Sequence, residues 1–388
     1  MNAVILFINI GFYHAARLQA TAKLFNKLGW SLTAVQLTNN TLEHPWGSSD
    51  SLITFPLITL ESSRGKNLNK LPKITGKDIN LCLTNLHPNV VFIPGWAFSI
   101  SKQALQWCHQ NKINAIVMSE SKYDDKQRFW LKEKIKSLFY VRKFSAALVG
   151  GEMHAKYLEY LGIPSVDIHK GYDAVDNDYF TRSTNLIRRD HLKARKLIPS
   201  IPSRPYFLVV TRLIPRKNIS RLIDAYILYK KEIGISSWDL VICGEGEEIN
   251  KLKLKIGDGR MNESIHFPGF VPYHHIVYWY AFANALVHPA LNEQWGLVIN
   301  EACASGLPIV CSETVGARHE LVKDGINGYL FSPSSVKNIF NSLVRLHLTP
   351  DVERSKMGKQ SRILVKNHSP ENFAKGVVDC ILGVSTKI

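Results

Sequence analysis

Short apolar runs alternate with stretches of helical spacing along this 388-residue chain, and that alternation limits the possible folds more than any other feature. A strand that is apolar on both faces has to be covered on both faces, so the pattern predicts parallel sheets clothed by helices. In the first half the strand-like runs fall at 3–9, 31–36, 90–93, 115–118, 146–149 and 166–169, with helices expected at 15–28, 78–86, 102–110, 126–144 and 153–161. The stretch 39–76, broken by Pro45, Pro56 and Pro72, reads as one strand plus long loops. The second half repeats the scheme, with strands at 206–211, 240–244, 265–267, 285–288, 309–311 and 329–331. Its helices are expected at 219–231, 247–254, 274–283, 296–304, 318–322 and 336–346, with a last one at 371–382. Between the halves, at 171–203, the pattern lapses into GYDAVDNDYF, a basic tract and three prolines. A chain of this length exceeds one ordinary core. The expected division is a first domain over 1–170, a linker over 171–203 holding a helix near 185–196, and a second domain over 204–369.

Composition narrows the class. Hydrophobic residues make up 45% and charged residues 21%, the balance of a soluble globular protein. No apolar run approaches the ~20 residues that span a bilayer. The run at 4–8 lacks a basic leader and a small-residue cleavage site, so it reads as a first buried strand and not as a signal peptide. Six scattered cysteines form no Cys-x-x-Cys pair, which points away from zinc knuckles and disulfide frameworks and toward a reducing cytoplasm; a place at the inner face of its membrane rests on the basic charge alone. The formal charge of +16 has three candidate explanations: nucleic acid, an anionic membrane surface, or a nucleotide ligand plus a solvated surface. Nucleic acid is disfavoured, because no basic run interleaved with aromatics and no recognition-helix module is evident. The stretch 126–144, where lysines mix with Phe129, Trp130, Leu138 and Phe139, suits an interfacial helix on anionic lipid. It suits equally a core-packed helix with a basic outer face, and the second reading is the one favoured here.

The densest chemistry lies at 288–310, HPALNEQWGLVINEACASGLPIV. Behind the apolar run 285–287, Gly296 opens a segment with apolar residues at Leu297, Val298, Ala302 and Cys303, which is helical spacing. Strand, loop and helix start present free N–H groups and a dipole that attract an anion. Glu293 precedes that start and Glu301 follows it, with seven residues between them. An isolated pair of glutamates is most simply two solvated charges. The surroundings shift that reading. Arg212 and Lys217 stand in VVTRLIPRKN after the run 206–210, Gly244 and Gly246 stand in VICGEGEE after 240–242, and Gly269-Phe270-Val271 and a loop at Gly316 follow. Taken together, these motifs resemble the donor half of the retaining family 4 glycosyltransferases, strongly over 206–331 and weakly before it.

The resemblance implies an α/β fold of the GT-B type, two Rossmann-like domains facing each other across a cleft, with the last helix, about 370–388, returning to the first domain. It implies transfer of a sugar from a nucleotide diphosphate sugar to a hydroxyl of a sugar or glycolipid acceptor, in polysaccharide or glycolipid synthesis. The anomeric configuration is kept, and neither a metal nor another cofactor is expected. Bond breaking leaves positive charge on the sugar ring and negative charge on the diphosphate, so catalysis gains most from cations and dipoles aimed at the leaving group. By the resemblance Arg212 and Lys217 supply the cations, and the helix start at Gly296, Leu297 and Val298 supplies N–H groups. Glu301 is assigned to the ribose hydroxyls, Glu293 to the hydroxyls of the donor sugar, and the backbone of Val271 to the base. Gly244 and Gly246 read as a tight turn leaving a strand, bordering the base.

The first domain departs from the family pattern. Where many members carry a histidine after a central strand, this chain has Ser119-Glu120-Ser121. Glu120 becomes the candidate to steady the positive ring or orient the acceptor hydroxyl; a solvated loop glutamate is the plain alternative. The glycine-rich first loop is reduced to Gly11, followed by Phe12-Tyr13-His14 and Arg17, and Gly11, His14 and Arg17 are expected on the acceptor side. Asp176-Asn177-Asp178 formally matches a metal-binding DxD but reads as a cap or turn, and His288 and His319 read as loop or core histidines. Two further readings stay open, a sugar-nucleotide epimerase of related fold and a non-catalytic donor-binding partner protein.

Overall fold

The computed structural model describes residues 1–38, 53–61, 76–257 and 263–386. Most of the expectation for 39–76 therefore lies outside the described residues. The chain divides into two compact units, one comprising 1–176 with 368–388 and the other 177–367.

The first unit holds seven strands: β1 (Asn2–Phe7), β2 (Ser31–Thr38), β3 (Leu57–Glu61), β4 (Val90–Pro94), β5 (Asn114–Ser119), β6 (Ala146–Val149) and β7 (Ile168–Lys170). They lie parallel in the order β3-β2-β1-β4-β5-β6-β7, so the order reverses between β1 and β4. Side chains alternate between the two faces of a strand. Val4, Leu6, Val91, Ile93 and Val117 enter one core, and Ala3, Ile5, Phe92, Ile116 and Leu148 enter the other. That two-sided burial is why each strand reads as an unbroken apolar run. The helix Pro370–Ser385 belongs to this unit, packing against the helix Phe12–Leu28 and against β6 and β7. It brings Phe373, Val377, Cys380, Ile381 and Val384 into the second of those cores.

The second unit carries β8 (Tyr206–Val210), β9 (Asp239–Cys243), β10 (Ile265–Gly269), β11 (Ala285–His288), β12 (Ile309–Ser312) and β13 (Gly328–Phe331). The order β10-β9-β8-β11-β12-β13 is again parallel and reverses between β8 and β11. Ligands of open α/β sheets bind outside the carboxyl ends of the strands at such a reversal.

Three stretches depart from what the sequence suggested. Residues 177–197, read as linker with one helix near 185–196, form two helices, Asn177–Arg189 and His191–Leu197. The Arg188 guanidinium donates to the carbonyls of Ala281 (2.8 Å), Ser305 (2.8 Å) and Tyr280 (3.3 Å), closing helix ends of the second unit. The helix Asp351–Val365 was not foreseen, because it buries Met357, Gly358, Ser361 and Val365, a face too small and polar to show apolar periodicity. The expected helix over 126–144 is shortened to Trp130–Phe139. Ahead of it Arg128 donates to the Tyr123 and Lys122 carbonyls and to the Asp125 carboxylate, pinning that segment outside the helix. Its orientation is also the reverse of the favoured reading: Glu133 and Ser137 face inward and the apolar side chains face out. No helix among the described residues is long and apolar enough to cross a membrane.

Candidate functional site

The site is assembled from the two loops that leave β8 and β11, the strands flanking the reversal of the second sheet. After β8 the chain passes Arg212 into the one-turn helix Pro215–Lys217, and Asn218 then starts the helix Ile219–Ile233 from a left-handed conformation (φ 61°) that asparagine tolerates better than most residues. The Asn218 amide donates to the carbonyls of Pro289 and Pro333, both at 2.9 Å, and Leu291 N–H donates to the Arg216 carbonyl at 2.8 Å. The two loops are thereby stitched together.

This stitching brings Glu293 against three nitrogen groups. Lys217 Nζ donates to Glu293 Oε2, Arg216 Nη1 donates to Oε1 at 3.3 Å, and His288 Nε2 lies 3.4 Å from Oε2. Lys217, Glu293 and His288 are all buried, while Arg216 is largely exposed. Burial alone would raise the Glu293 carboxyl, but the His288 ring and the Lys217 ammonium outweigh it and hold it well below the usual carboxylate range. Burial pushes the Lys217 ammonium down, opposed by Glu293 and reinforced by the like charges of Arg216 and Arg212. Burial likewise pushes His288 down, opposed by Glu293 and reinforced by the Lys217 and Arg216 charges. An ammonium is tolerated at this depth because the carboxylate sits against it.

The sign of the resulting pH dependence follows from the depressed Glu293. Its stabilisation is fully present above the unfolded glutamate value near 4.3 and is lost as pH falls through the lower native value. The difference in melting temperature between wild type and Glu293→Gln is therefore expected to be constant from pH 7 to about pH 5 and to shrink below that. A difference that stays flat into strong acid would show that Glu293 is not held as an anion.

Gly296, at φ 99°, turns the chain into the helix Leu297–Ala304. A Cβ there would press on Glu293 Cγ and Val315 Cγ1, both at 3.3 Å, so the glycine serves both the left-handed turn and the close approach. Under this turn Trp295 is buried and donates from Nε1 to Asn300 Oδ1 at 2.8 Å. Glu301 lies past the first turn, where its Oε2 accepts from the Tyr280 hydroxyl at 2.6 Å. Half-buried Leu297 and Val298 leave the first-turn N–H groups at the mouth of the loop. Arg212 is exposed and has no ion-pair partner among the described residues. Gly244 is a close-approach glycine and not part of a tight turn. Its N–H donates to the Gly269 carbonyl at 2.8 Å, and the Thr211 and Leu213 N–H groups bond to the Cys243 and Glu245 carbonyls. A side chain at Gly244 would run into the Thr211 carbonyl. Val271, half-buried, sits in the loop between β10 and the helix Tyr273–Phe282.

In the first unit the expected residues gather near the carboxyl ends of β1 and β5. Gly11 precedes the helix Phe12–Leu28, its N–H directed at His14 Nδ1 (3.3 Å), and the His14 ring packs 4.5 Å from that of Phe7. Arg17 points inward: its Nε donates to the Ala174 carbonyl at 2.8 Å and its guanidinium lies 5.2 Å over the Tyr172 ring. Glu120 is half-buried at the end of β5, close enough that its charge, after burial, helps raise the Tyr172 phenol. Asp178 of the DND triplet lies in the first turn of the helix Asn177–Arg189 and pairs with Arg182 at 3.0 Å.

Sequence reasoning missed Arg216, Tyr280 and Asn218; it read His288 as a loop or core histidine, and the ring is indeed buried, but against Glu293. Arg216 stands next to Lys217 in PRKN, a signal that was there to be read. Tyr280 meets Glu301 across 21 residues and left none.

Residues 192–364, which lie within the second unit, match the family described as Glycosyl transferases group 1. The O-antigen chain mannosyltransferase B of Escherichia coli is 35% identical over 135 residues, covering 34% of this chain and 34% of that protein. The poly(glycerol-phosphate) alpha-glucosyltransferase of Bacillus subtilis is 25% identical over 175 residues, covering 45% of this chain and 25% of the relative. The matches thus span a quarter to a third of those two relatives. Among solved structures, Anabaena HepE in complex with UDP and glucose superimposes with a TM-score of 0.72 at 14% identity, covering 98% of this chain and 99% of that one. The pneumococcal O-GlcNAc transferase GtfA, in complex with UDP and GlcNAc, gives 0.71 at 13% identity, with 99% of each chain covered. The fold, two parallel-sheet Rossmann-like units, is that of the GT-B glycosyltransferases.

Proposed function

We propose that the chain is a glycosyltransferase that moves a glycosyl group from a nucleotide diphosphate sugar to an acceptor hydroxyl during synthesis of a polysaccharide or other glycoconjugate. The transfer retains the anomeric configuration and requires no divalent metal. One observation carries the reading: a buried Lys217–Glu293 pair, joined by Arg216 and close to Arg212, at the reversal of the second sheet and beside a helix N-terminus. In the reaction the bond from the anomeric carbon to the diphosphate oxygen breaks with its electron pair going to the diphosphate. The acceptor oxygen forms the new bond and passes its proton to the departing diphosphate oxygen. Lys217, Arg212 and Arg216 face the place where negative charge accumulates, and the first-turn N–H groups of Leu297 and Val298 add fixed dipoles. Glu301, oriented by Tyr280, is the carboxylate for the ribose hydroxyls, and Glu293 takes the hydroxyls of the donor sugar. Val271 and Gly244 border the base. In the first unit, Glu120 with His14 is assigned to the acceptor.

HepE and GtfA were solved with UDP, which makes UDP sugars the first donors to try. The test is nucleotide release from a panel of nucleotide sugars, in EDTA, with lipid and oligosaccharide acceptors, for wild type and Glu301→Ala. Release from one donor that survives EDTA, disappears in the variant and yields a product of unchanged anomeric configuration is the expected outcome. Release that needs added magnesium would remove the metal-free claim. Tight donor binding without release would favour a binding protein, and no donor binding would overturn the reading.

A further inference from the structure

The helix Trp130–Phe139 is turned inside out for a helix of a globular domain. Its buried positions are Glu133 and Ser137, whereas Trp130, Leu131, Ile135, Leu138 and Phe139, with Phe129 just before them, are 47–70% exposed. The inward contacts are polar and specific. Glu133 accepts from the Tyr157 hydroxyl and from Lys136 Nζ (2.8 Å), with Arg128 Nη1 at 3.6 Å, and Ser137 Oγ donates to the Leu161 carbonyl. With 3.6 residues per turn, these anchors fix the rotation of the helix. Leu131, Ile135 and Leu138 then run along the centre of the outward face, with Trp130 and Phe139 toward its edges.

Charge completes the surface. Residues 126–143 contain seven basic side chains and one acidic one. The acidic one, Glu133, is turned inward and neutralised by Arg128 and Lys136. Lys132 and Lys134 flank the apolar stripe, and Lys126, Arg142 and Lys143 lie exposed at its two ends. An outward face of aliphatic and aromatic groups, edged by lysines whose stems can lie along apolar surface, matches the boundary between acyl chains and anionic headgroups. A second copy of the chain is a poor occupant, because it would set this cationic rim against itself. At ten residues the helix is too short to span a bilayer, so it lies in the interface plane.

We propose that this face docks the first unit onto an anionic membrane surface. The inference goes beyond the transfer reaction and does not require it, so its test reads binding and not turnover. Full-length protein is floated with vesicles of phosphatidylcholine alone and with vesicles containing phosphatidylglycerol. The expected result is flotation with the anionic vesicles only, weakened by salt. Partitioning should fall about tenfold or more in Leu131→Ser/Leu138→Ser and in Lys132→Glu/Lys134→Glu. Leu254→Ser, a replacement of an exposed leucine in the second unit, should float as wild type does. Quenching by brominated phosphatidylglycerol needs no unstable variant: wild type should be quenched, and Trp130→Phe should lose most of that signal. Absence of wild-type flotation, flotation unaffected by both double substitutions, or a soluble dimer that Leu131→Ser/Leu138→Ser dissolves would each overturn the proposal.

Discussion

Lys217→Ala is expected to lower nucleotide release about 10²- to 10³-fold in kcat, with a smaller change in KM, the loss typical of removing one preorganised group that faces charge developing in a transition state. Lys217 is held in place by burial, by the Glu293 carboxylate and by the Asn218-anchored loop, so no neighbour can swing in to replace it. Arg216 is the nearest other cation and is already engaged with Glu293 and the Asn292 carbonyl. Lys217→Arg should rescue poorly, because a planar fork does not fit where a compact ammonium is buried. The substitution also removes one partner of a buried pair, a change that costs about 3–5 kcal/mol where the remaining charge is left alone. Arg216 and His288 still face the carboxylate, so the loss of stability should fall short of that range. Steady-state release kinetics and a melting curve on the same preparation separate the two effects. A variant that keeps kcat within a few-fold of wild type would remove Lys217 from the chemistry.

The largest structural effect is expected from Gly316→Ala. The segment around Gly316 runs alongside the Glu293 loop, with Gly316 N–H donating to the Glu293 carbonyl at 3.1 Å and Ala317 N–H to the Trp295 carbonyl at 3.0 Å. A Cβ on Gly316 would overlap the Gln294 carbonyl oxygen and stand 2.7 Å from its carbon. Both are backbone atoms, so no rotamer change relieves the clash and the two segments must part. A loss above about 3 kcal/mol is expected, which for a domain of this size is roughly 6–12 °C in melting temperature. Gly325→Ala is the natural control. That glycine has φ 75° but nothing within 4 Å of a new Cβ, so only conformational strain of about 1 kcal/mol is expected. Equal melting temperatures for the two variants would show that the close approach at Gly316 can relax.

Both sheets were legible because parallel strands buried on two faces, such as Val90–Pro94 and Asp239–Cys243, leave contiguous apolar runs that few other structures produce. The helices Asn177–Arg189 and Asp351–Val365 were not, since their inward faces carry Thr184, Gly358 and Ser361 among few large apolar side chains. Glu293 and Lys217 could be picked out singly from their motifs. Their contact could not be seen, because it joins residues 76 positions apart through loops whose course depends on Asn218 and Gly296. The orientation of Trp130–Phe139 was misjudged for a related reason. The amphipathic period was present, but which face turned inward was decided by Tyr157 and the Leu161 carbonyl, more than twenty positions away.

The membership of Pro370–Ser385 in the first unit bears on the order in which the protein can take shape during synthesis. One core of that unit joins Ala3, Ile5 and Phe7 to Phe373, Val377 and Ile381, so it cannot close until residues beyond 380 have left the ribosome. The unit spanning 177–367 has all its strands available earlier. The usual vectorial sequence, in which the N-terminal portion matures first, therefore stops short here: the core built from residues 4–163 has no such dependence, and the one shared with the last helix does. The apolar seam on Phe12–Leu28 that later receives the returning helix must wait in a nascent chain, uncovered, while the second sheet forms.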